Sequence, residues 1–143
     1  MLPVMPPFPC TLLVDDDEIT NFINTMLLHD VGITQTLTAF NGQEALDLLH
    51  THCSAPGSPT CPMLILLDIR MPVMDGFEFL QAYGQRPPTD NPAVVIMLTS
   101  SLNPLDVARM QGLPIAGYLT KPLTEENIHR IMQEHFGPAA PAS

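Results

Sequence analysis

Two apolar runs end in aspartate, and that pairing constrains the fold of this chain more than any other feature. Leu12-Leu13-Val14 runs into Asp15-Asp16-Asp17, and Met63-Leu64-Ile65-Leu66-Leu67 runs into Asp68. Continuous apolar runs of this length predict strands covered on both faces by helices, as in a parallel sheet. Open parallel sheets bind ligands beyond the carboxyl ends of their strands, near the point where strand order reverses. One Asp after one strand is ordinarily a turn residue or a helix N-cap. Two strands that deliver carboxylates to one edge create mutual repulsion, which a hard, oxygen-coordinated cation such as Mg²⁺ offsets.

The rest of the chain alternates helix and strand patterns. Cys10 to Val14 is predicted as the first strand. Ile19, Phe22, Ile23, Met26 and Leu27 then recur at helical spacing, predicting an amphipathic helix that ends near Gly32. Ile33 to Phe40 suits a second strand. Asn41 caps the next helix, Glu44 is placed to reach back to it, and Ala45, Leu46, Leu48 and Leu49 supply its apolar face. The Pro/Ser/Gly segment 51–62 reads as an extended loop, longer than usual. Met63 to Leu67 is the third strand, Phe77 to Tyr83 a short helix, and 86–92 a breaker stretch. Ala93 to Leu98 is the fourth strand, ending in Thr99. Asn103-Pro104 opens a brief helix that ends at Gly112. Ile115 to Thr120 is the fifth strand, ending in Lys121-Pro122. Thr124 caps a last helix whose face is Ile128, Ile131, Met132 and His135, with Glu125 and Glu126 favoured in its first turn. Five strands alternating with five helices predict a three-layer α/β/α sandwich.

Length and charge bound the function. A chain of 143 residues is read as one domain with one sizeable core, 10–137, between a disordered leader, 1–9, and a disordered tail, 138–143. The net charge of -10 argues against nucleic acid and against an anionic membrane surface. No apolar stretch approaches a transmembrane length, and prolines with no basic residue make 1–9 a poor signal peptide, so a cytoplasmic location is expected. Cys10, Cys53 and Cys61 do not form an even set. Cys53, Cys61, His50 and His52 are the residue types of a zinc or redox site, but the Ser-Ala-Pro-Gly-Ser-Pro composition between the cysteines favours a plain flexible insertion.

Four strand ends therefore carry chemistry: Asp15 and Asp16, Asp68, Thr99 and Lys121. Lys121 is the only lysine in the chain and falls where an apolar run stops. A cation beside clustered carboxylates lowers their repulsion. These residue types suit phosphoryl transfer to a carboxylate: Asp68 attacks phosphorus, Mg²⁺ and Lys121 bind the equatorial oxygens, and the Thr99 hydroxyl donates to another. No general base is required, and no histidine lies near a strand end.

The same blocks resemble the receiver domain of bacterial response regulators. They are Leu12-Leu13-Val14-Asp15-Asp16-Asp17, Asn41-Gly42-Gln43-Glu44-Ala45-Leu46, Leu67 through Gly76, Leu98-Thr99-Ser100-Ser101 and Tyr118-Leu119-Thr120-Lys121-Pro122-Leu123. The resemblance spans about Thr11 to Phe136. It implies a flavodoxin-like sheet of order 2-1-3-4-5 with Asp68 as phosphoacceptor. Asp16 then binds Mg²⁺ directly, Asp15 mostly through water, and the Arg70 backbone carbonyl completes the protein ligands. Thr99 and Tyr118 match a switch pair, Lys121 the phosphate-binding lysine, and the Lys121-Pro122 bond is expected to be cis. Asp17 is expected to be structural, at the start of the first helix.

The resemblance also implies partners: a histidine kinase or phosphotransfer protein as donor, and an unknown downstream protein target. The chain is expected to be a monomer or weak dimer, a phosphoacceptor that gains and loses its own phosphoryl group rather than an enzyme acting on other substrates. No output domain follows the receiver in this sequence, so its own surface is expected to carry the output. Two rivals fit less well. An aspartyl-nucleophile phosphatase needs a second acid two residues beyond the nucleophile, where this chain has Arg70. An inactive pseudo-receiver loses the acidic pair, the acceptor or the lysine, and all are present.

Overall fold

The computed structural model describes residues 10–55, 58–85, 93–100 and 103–137. The expected leader and tail, the 86–92 breaker stretch and Ser101 lie outside the described residues. The elements alternate as β1 (Thr11–Val14), α1 (Glu18–Asp30), β2 (Thr36–Ala39), α2 (Gly42–His52), β3 (Leu64–Asp68), α3 (Gly76–Gly84), β4 (Val94–Thr99), α4 (Pro104–Met110), β5 (Gly117–Thr120) and α5 (Glu125–Phe136). All strands are parallel, in the order β2-β1-β3-β4-β5. This is the three-layer sandwich expected, with strand order reversing between β1 and β3.

Period-2 alternation assigns the strand side chains to two cores. Leu12, Val14, Ile65, Leu67, Val95 and Met97 pack beneath Ala45, Leu49, Phe77, Leu80 and Met110, which places α2, α3 and α4 on one face. Leu13, Leu64, Leu66, Ile96 and Leu98 meet Leu28, Ile128 and Ile131, which places α1 and α5 on the other. Each Val, Leu, Ile, Phe or Met among them, fully buried, contributes about 1.5–3 kcal/mol. The caps follow local sequence: Asn41, Asp75, Asn103 and Thr124 each accept a backbone N–H of the first turn, and Asp75 and Glu78 complete a capping box.

Helix α1 departs from expectation. A surface helix normally turns its apolar stripe to the core, yet Ile19, Phe22, Ile23 and Met26 are 67%, 65%, 55% and 52% exposed. The buried residues of α1 are Asn21, Asn24 and Leu28. The reason is polar: Asn21 Nδ2 donates to the Asp15 carbonyl at 3.0 Å and the Ala39 carbonyl at 3.3 Å, joining the ends of β1 and β2. Periodicity marked the helix correctly and its inward face wrongly. Of the five stripe residues, Leu27 packs partly against the second core. Asn21→Ala should cost about 1–3 kcal/mol, because the strand-end carbonyls lose a buried donor. A drop in the urea midpoint at unchanged slope would show it; an unchanged midpoint would contradict the clamp.

The 51–62 segment is a second correction. Helix α2 continues through Thr51 and His52, and Cys53 and Cys61 form a disulfide with their Cα atoms 4.7 Å apart. The disulfide closes the chain between Cys53 and Cys61, and both sulfurs are thereby taken from any zinc site. An odd cysteine count hid the pair. The third cysteine, Cys10, is buried with its Sγ 3.6 Å from the Thr60 carbonyl, and burial raises its thiol pKa. The loop leads into the amino end of β3, away from the strand ends that carry the acids.

Candidate functional site

Register brings the strand ends level. Asp68 closes β3 opposite Leu98, and Thr99 closes β4 opposite Thr120. The Lys121 amide then donates to the Thr99 carbonyl at 2.7 Å, carrying the chain past the sheet edge, and the Lys121-Pro122 bond is cis as expected. On the other side of β3, the Asp15 amide donates to the Ala39 carbonyl. Asp15, Asp68 and Thr99 are buried, and Asp16 is exposed.

Three carboxylates and one ammonium meet there. Lys121 Nζ lies 2.7 Å from Asp15 Oδ2 and 3.3 Å from Asp68 Oδ1. Asp15, Asp16 and Asp68 each offer an oxygen within 4.8 Å of the others. Asp15 Oδ1 also accepts the Asp17 amide at 2.9 Å, so both its oxygens are engaged, while Asp16 is exposed. Asp17 is the N-cap of α1, accepting from the Ile19 amide and the Thr20 hydroxyl, and these bonds lower its pKa. It stands apart from the cluster, as expected.

The electrostatics are those of a site short of positive charge. Burial, then the Asp15 charge, raises the Asp68 pKa, and Lys121 opposes them only in part. Burial alone would lower the Lys121 pKa; the Asp15 hydrogen bond and the Asp68 and Asp15 charges more than offset it and hold the ammonium form. A compact all-oxygen donor set with an uncompensated negative charge fits a hard divalent cation.

Two glycines, which sequence reading passed over, position the loop after Asp68. The Gly76 amide donates to the Ile69 carbonyl at 2.8 Å, and a Cβ there would lie 2.5 Å from the Asp68 carbonyl oxygen. The Gly42 amide donates to the Met74 carbonyl at 2.9 Å, and a Cβ there would meet Met74 Cγ at 2.7 Å. Between these anchors Val73 adopts φ 68°, a strained value for a β-branched residue. Each glycine opens a helix beside this loop, which is the signal that would have found them.

Comparison with known proteins settles the family. Residues 11–133 match the description "Response regulator receiver domain". The chain belongs to the response regulator receiver family. It is 31% identical over 124 residues to a probable methanogenesis regulatory protein, FilR2, of Methanothrix harundinacea, covering 86% of this chain and 78% of that one. It is 28% identical to a probable chemotaxis protein CheY of Rhizobium etli, over 88% of this chain and 91% of that one. Among solved structures, a two-component response regulator from Cytophaga hutchinsonii superposes with TM-score 0.78 at 29% identity, covering 90% of this chain and 97% of that chain.

Of the residues expected in the receiver site, Asp15, Asp16, Asp68 and Lys121 come together, with Thr99 buried at the end of the adjoining strand. Tyr118 is 44% exposed, in register with Met97. The Arg70 side chain turns to α4, its Nη2 3.1 Å from Asp106 Oδ2. Among the described residues, no helix is long and apolar enough to cross a membrane.

Proposed function

We propose that this receiver accepts a phosphoryl group on Asp68 from a histidine kinase or phosphotransfer protein, and thereby changes its affinity for a protein target. The observation that carries the reading is the Asp68 carboxylate, held 3.3 Å from the single lysine beside an acidic pair. An Asp68 oxygen attacks phosphorus in line as the phosphorus–nitrogen bond of a donor phosphohistidine breaks, and the imidazole leaves with that electron pair. Lys121 moves from Asp15 and Asp68 onto a phosphoryl oxygen, and the Thr99 hydroxyl donates to another. Asp16 and Asp68 would hold Mg²⁺ directly, Asp15 through water, and the Arg70 carbonyl would complete the set; bound there, the cation neutralises charge on the transferring group.

Drawing Thr99 toward the phosphoryl group vacates space that the Tyr118 ring, now outward, can enter. The phosphoryl group biases that equilibrium only by binding one state better. The exposed stripe Ile19, Phe22, Ile23 and Met26 begins four residues after Asp15 and gives the donor protein an apolar seat beside the acidic edge.

Intact-protein mass spectrometry after incubation with Mg²⁺ and acetyl phosphate tests the core of this reading. One added phosphoryl group per chain, lost in hydroxylamine, is expected. Chelation of Mg²⁺, or Asp16→Ala, should reduce labelling to background while the circular dichroism spectrum is retained. Unchanged labelling in Asp16→Ala would remove Asp16 from the metal site.

A further inference from the structure

The Arg70 side chain makes a contact that the proposed metal-ligand role of its carbonyl does not use. Its guanidinium donates from Nη2 to Asp106 Oδ2 at 3.1 Å, across from the loop after β3 to the first turn of α4. Asp106 is buried, and the same oxygen accepts Asn103 Nδ2 at 3.1 Å. The Asp106 amide in turn donates to Asn103 Oδ1 at 2.9 Å. A buried carboxylate thus depends on one arginine and one asparagine, and the arginine belongs to the segment that carries Asp68.

The other described cations are committed elsewhere. Lys121 lies on Asp15 and Asp68, Arg109 sits 3.9 Å over the Phe77 ring, and Arg130 bonds Asn127. The Arg70 side chain is 71% exposed, so most of its donors remain open to solvent and its carboxylate bond is of the weak, screened kind. It also stands two residues beyond Asp68. Both residues belong to the carboxyl end of β3 and the loop that follows it, where Lys121 meets Asp68.

We infer that Arg70 senses the phosphoryl group: its guanidinium holds Asp106 in the unmodified protein and passes to the phosphoryl oxygens when Asp68 is modified, releasing α4. This rests on Asp68 being the phosphoacceptor. The exchange has a clear direction. A phosphoryl group carries more charge than a carboxylate and matches the guanidinium fork with two parallel acceptors. Asp106, left buried with Asn103 alone, then lacks its counter-charge, and the short helix that carries it repositions to gain solvent or a new donor. The phosphoryl group is thereby given a differential contact with the two positions of α4. Leu105, 77% exposed on that helix, moves with it.

The two ends of the exchange give opposite signs when removed. Beryllofluoride with Mg²⁺ serves as the phosphoryl mimic on the full chain, its occupancy of Asp68 read by fluorine NMR and α4 by backbone amide shifts. Arg70→Gln should weaken beryllofluoride binding about tenfold, the size of one charge-assisted bond, with partial recovery in Arg70→Lys. Asp106→Asn should strengthen binding, because the guanidinium no longer has a competing carboxylate. In the Arg70→Gln background that gain should vanish. The Arg70 side-chain Nε signal should shift on saturation in the wild type. Beryllofluoride on Asp68 with an unmoved Arg70 signal would overturn the exchange and leave the phosphoacceptor standing, as would equal weakening by both substitutions. Saturating beryllofluoride that never occupies Asp68 would overturn the phosphoacceptor reading and this proposal with it.

Discussion

Asp68→Asn should leave the protein unlabelled by any phosphoryl donor and more stable than the wild type. The first effect is chemical: an amide nitrogen or oxygen does not form the acyl phosphate, so acid-stable, hydroxylamine-labile label should fall to background. The second follows from the site's electrostatics. Burial and the Asp15 charge raise the Asp68 pKa above its usual value, despite Lys121. A carboxyl whose folded pKa is raised keeps its proton to a higher pH in the native state than in the unfolded chain. Its stabilising contribution is therefore present in acid and lost as pH rises from about 4, the unfolded value, through the raised folded one. At neutral pH the wild type carries that cost and the neutral asparagine does not. With metal chelated, the variant should be more stable by about 0.5–2 kcal/mol at pH 7, and the difference should shrink toward pH 4. Thermal melts across that range measure it. A variant less stable than wild type at neutral pH would mean that the Lys121 contact outweighs the burial of Asp68. Full labelling of the variant would move the acceptor elsewhere.

What the sequence made legible was the part governed by local rules. Unbroken apolar runs named the buried strands, cap residues named the starts of α2, α4 and α5, and acids and one lysine at run ends named the candidate site edge. These signals are short-range, and the sheet then assembles them because parallel strands all end on the same side. The inward face of α1 was not legible, since Asn21 is held by carbonyls of Asp15 and Ala39 on two different strands. An apolar stripe carries no mark of whether it will meet the core or a partner. The Cys53–Cys61 bond was hidden differently, by an odd cysteine count and an intervening composition that carries no pairing signal. The Arg70–Asp106 pair spans 36 residues and depends on how α4 sits over the loop after β3. The α1 and Arg70 misses are contacts between elements that periodicity treats separately. The apolar runs of β1, β3 and β4 followed their pattern, whereas β2 and β5 are shorter than Ile33–Phe40 and Ile115–Thr120, spanning Thr36–Ala39 and Gly117–Thr120.

Gly76→Ala should damage the site without touching any of its charged groups. Gly76 opens α3, and its amide donates to the Ile69 carbonyl, so the helix start is drawn against the backbone just after Asp68. A methyl group built there would stand 2.5 Å from the Asp68 carbonyl oxygen and 3.1 Å from Ile69 Cα. Both obstacles are backbone, which cannot swing aside as a side chain end does. Either α3 retreats, opening the packing of Phe77 and Leu80 in the first core, or the end of β3 shifts and carries Asp68 with it. The stability cost of such overpacking is about 1–3 kcal/mol. The functional cost is larger, because a displacement near 1 Å in Asp68, the proposed nucleophile, separates it from Lys121 and the acidic pair, and misplacement of that size lowers rates about 100-fold. Gly76→Ala should therefore label with acetyl phosphate far more slowly than the wild type at a temperature where both are fully folded. Gly84→Ala is the control: it lies at the end of the same helix, its nearest obstacle is a Pro114 side-chain atom at 3.7 Å, and its labelling rate should match the wild type. Wild-type labelling in Gly76→Ala would show that β3 and α3 can separate without moving the carboxylate, and that the close approach at Gly76 serves packing alone.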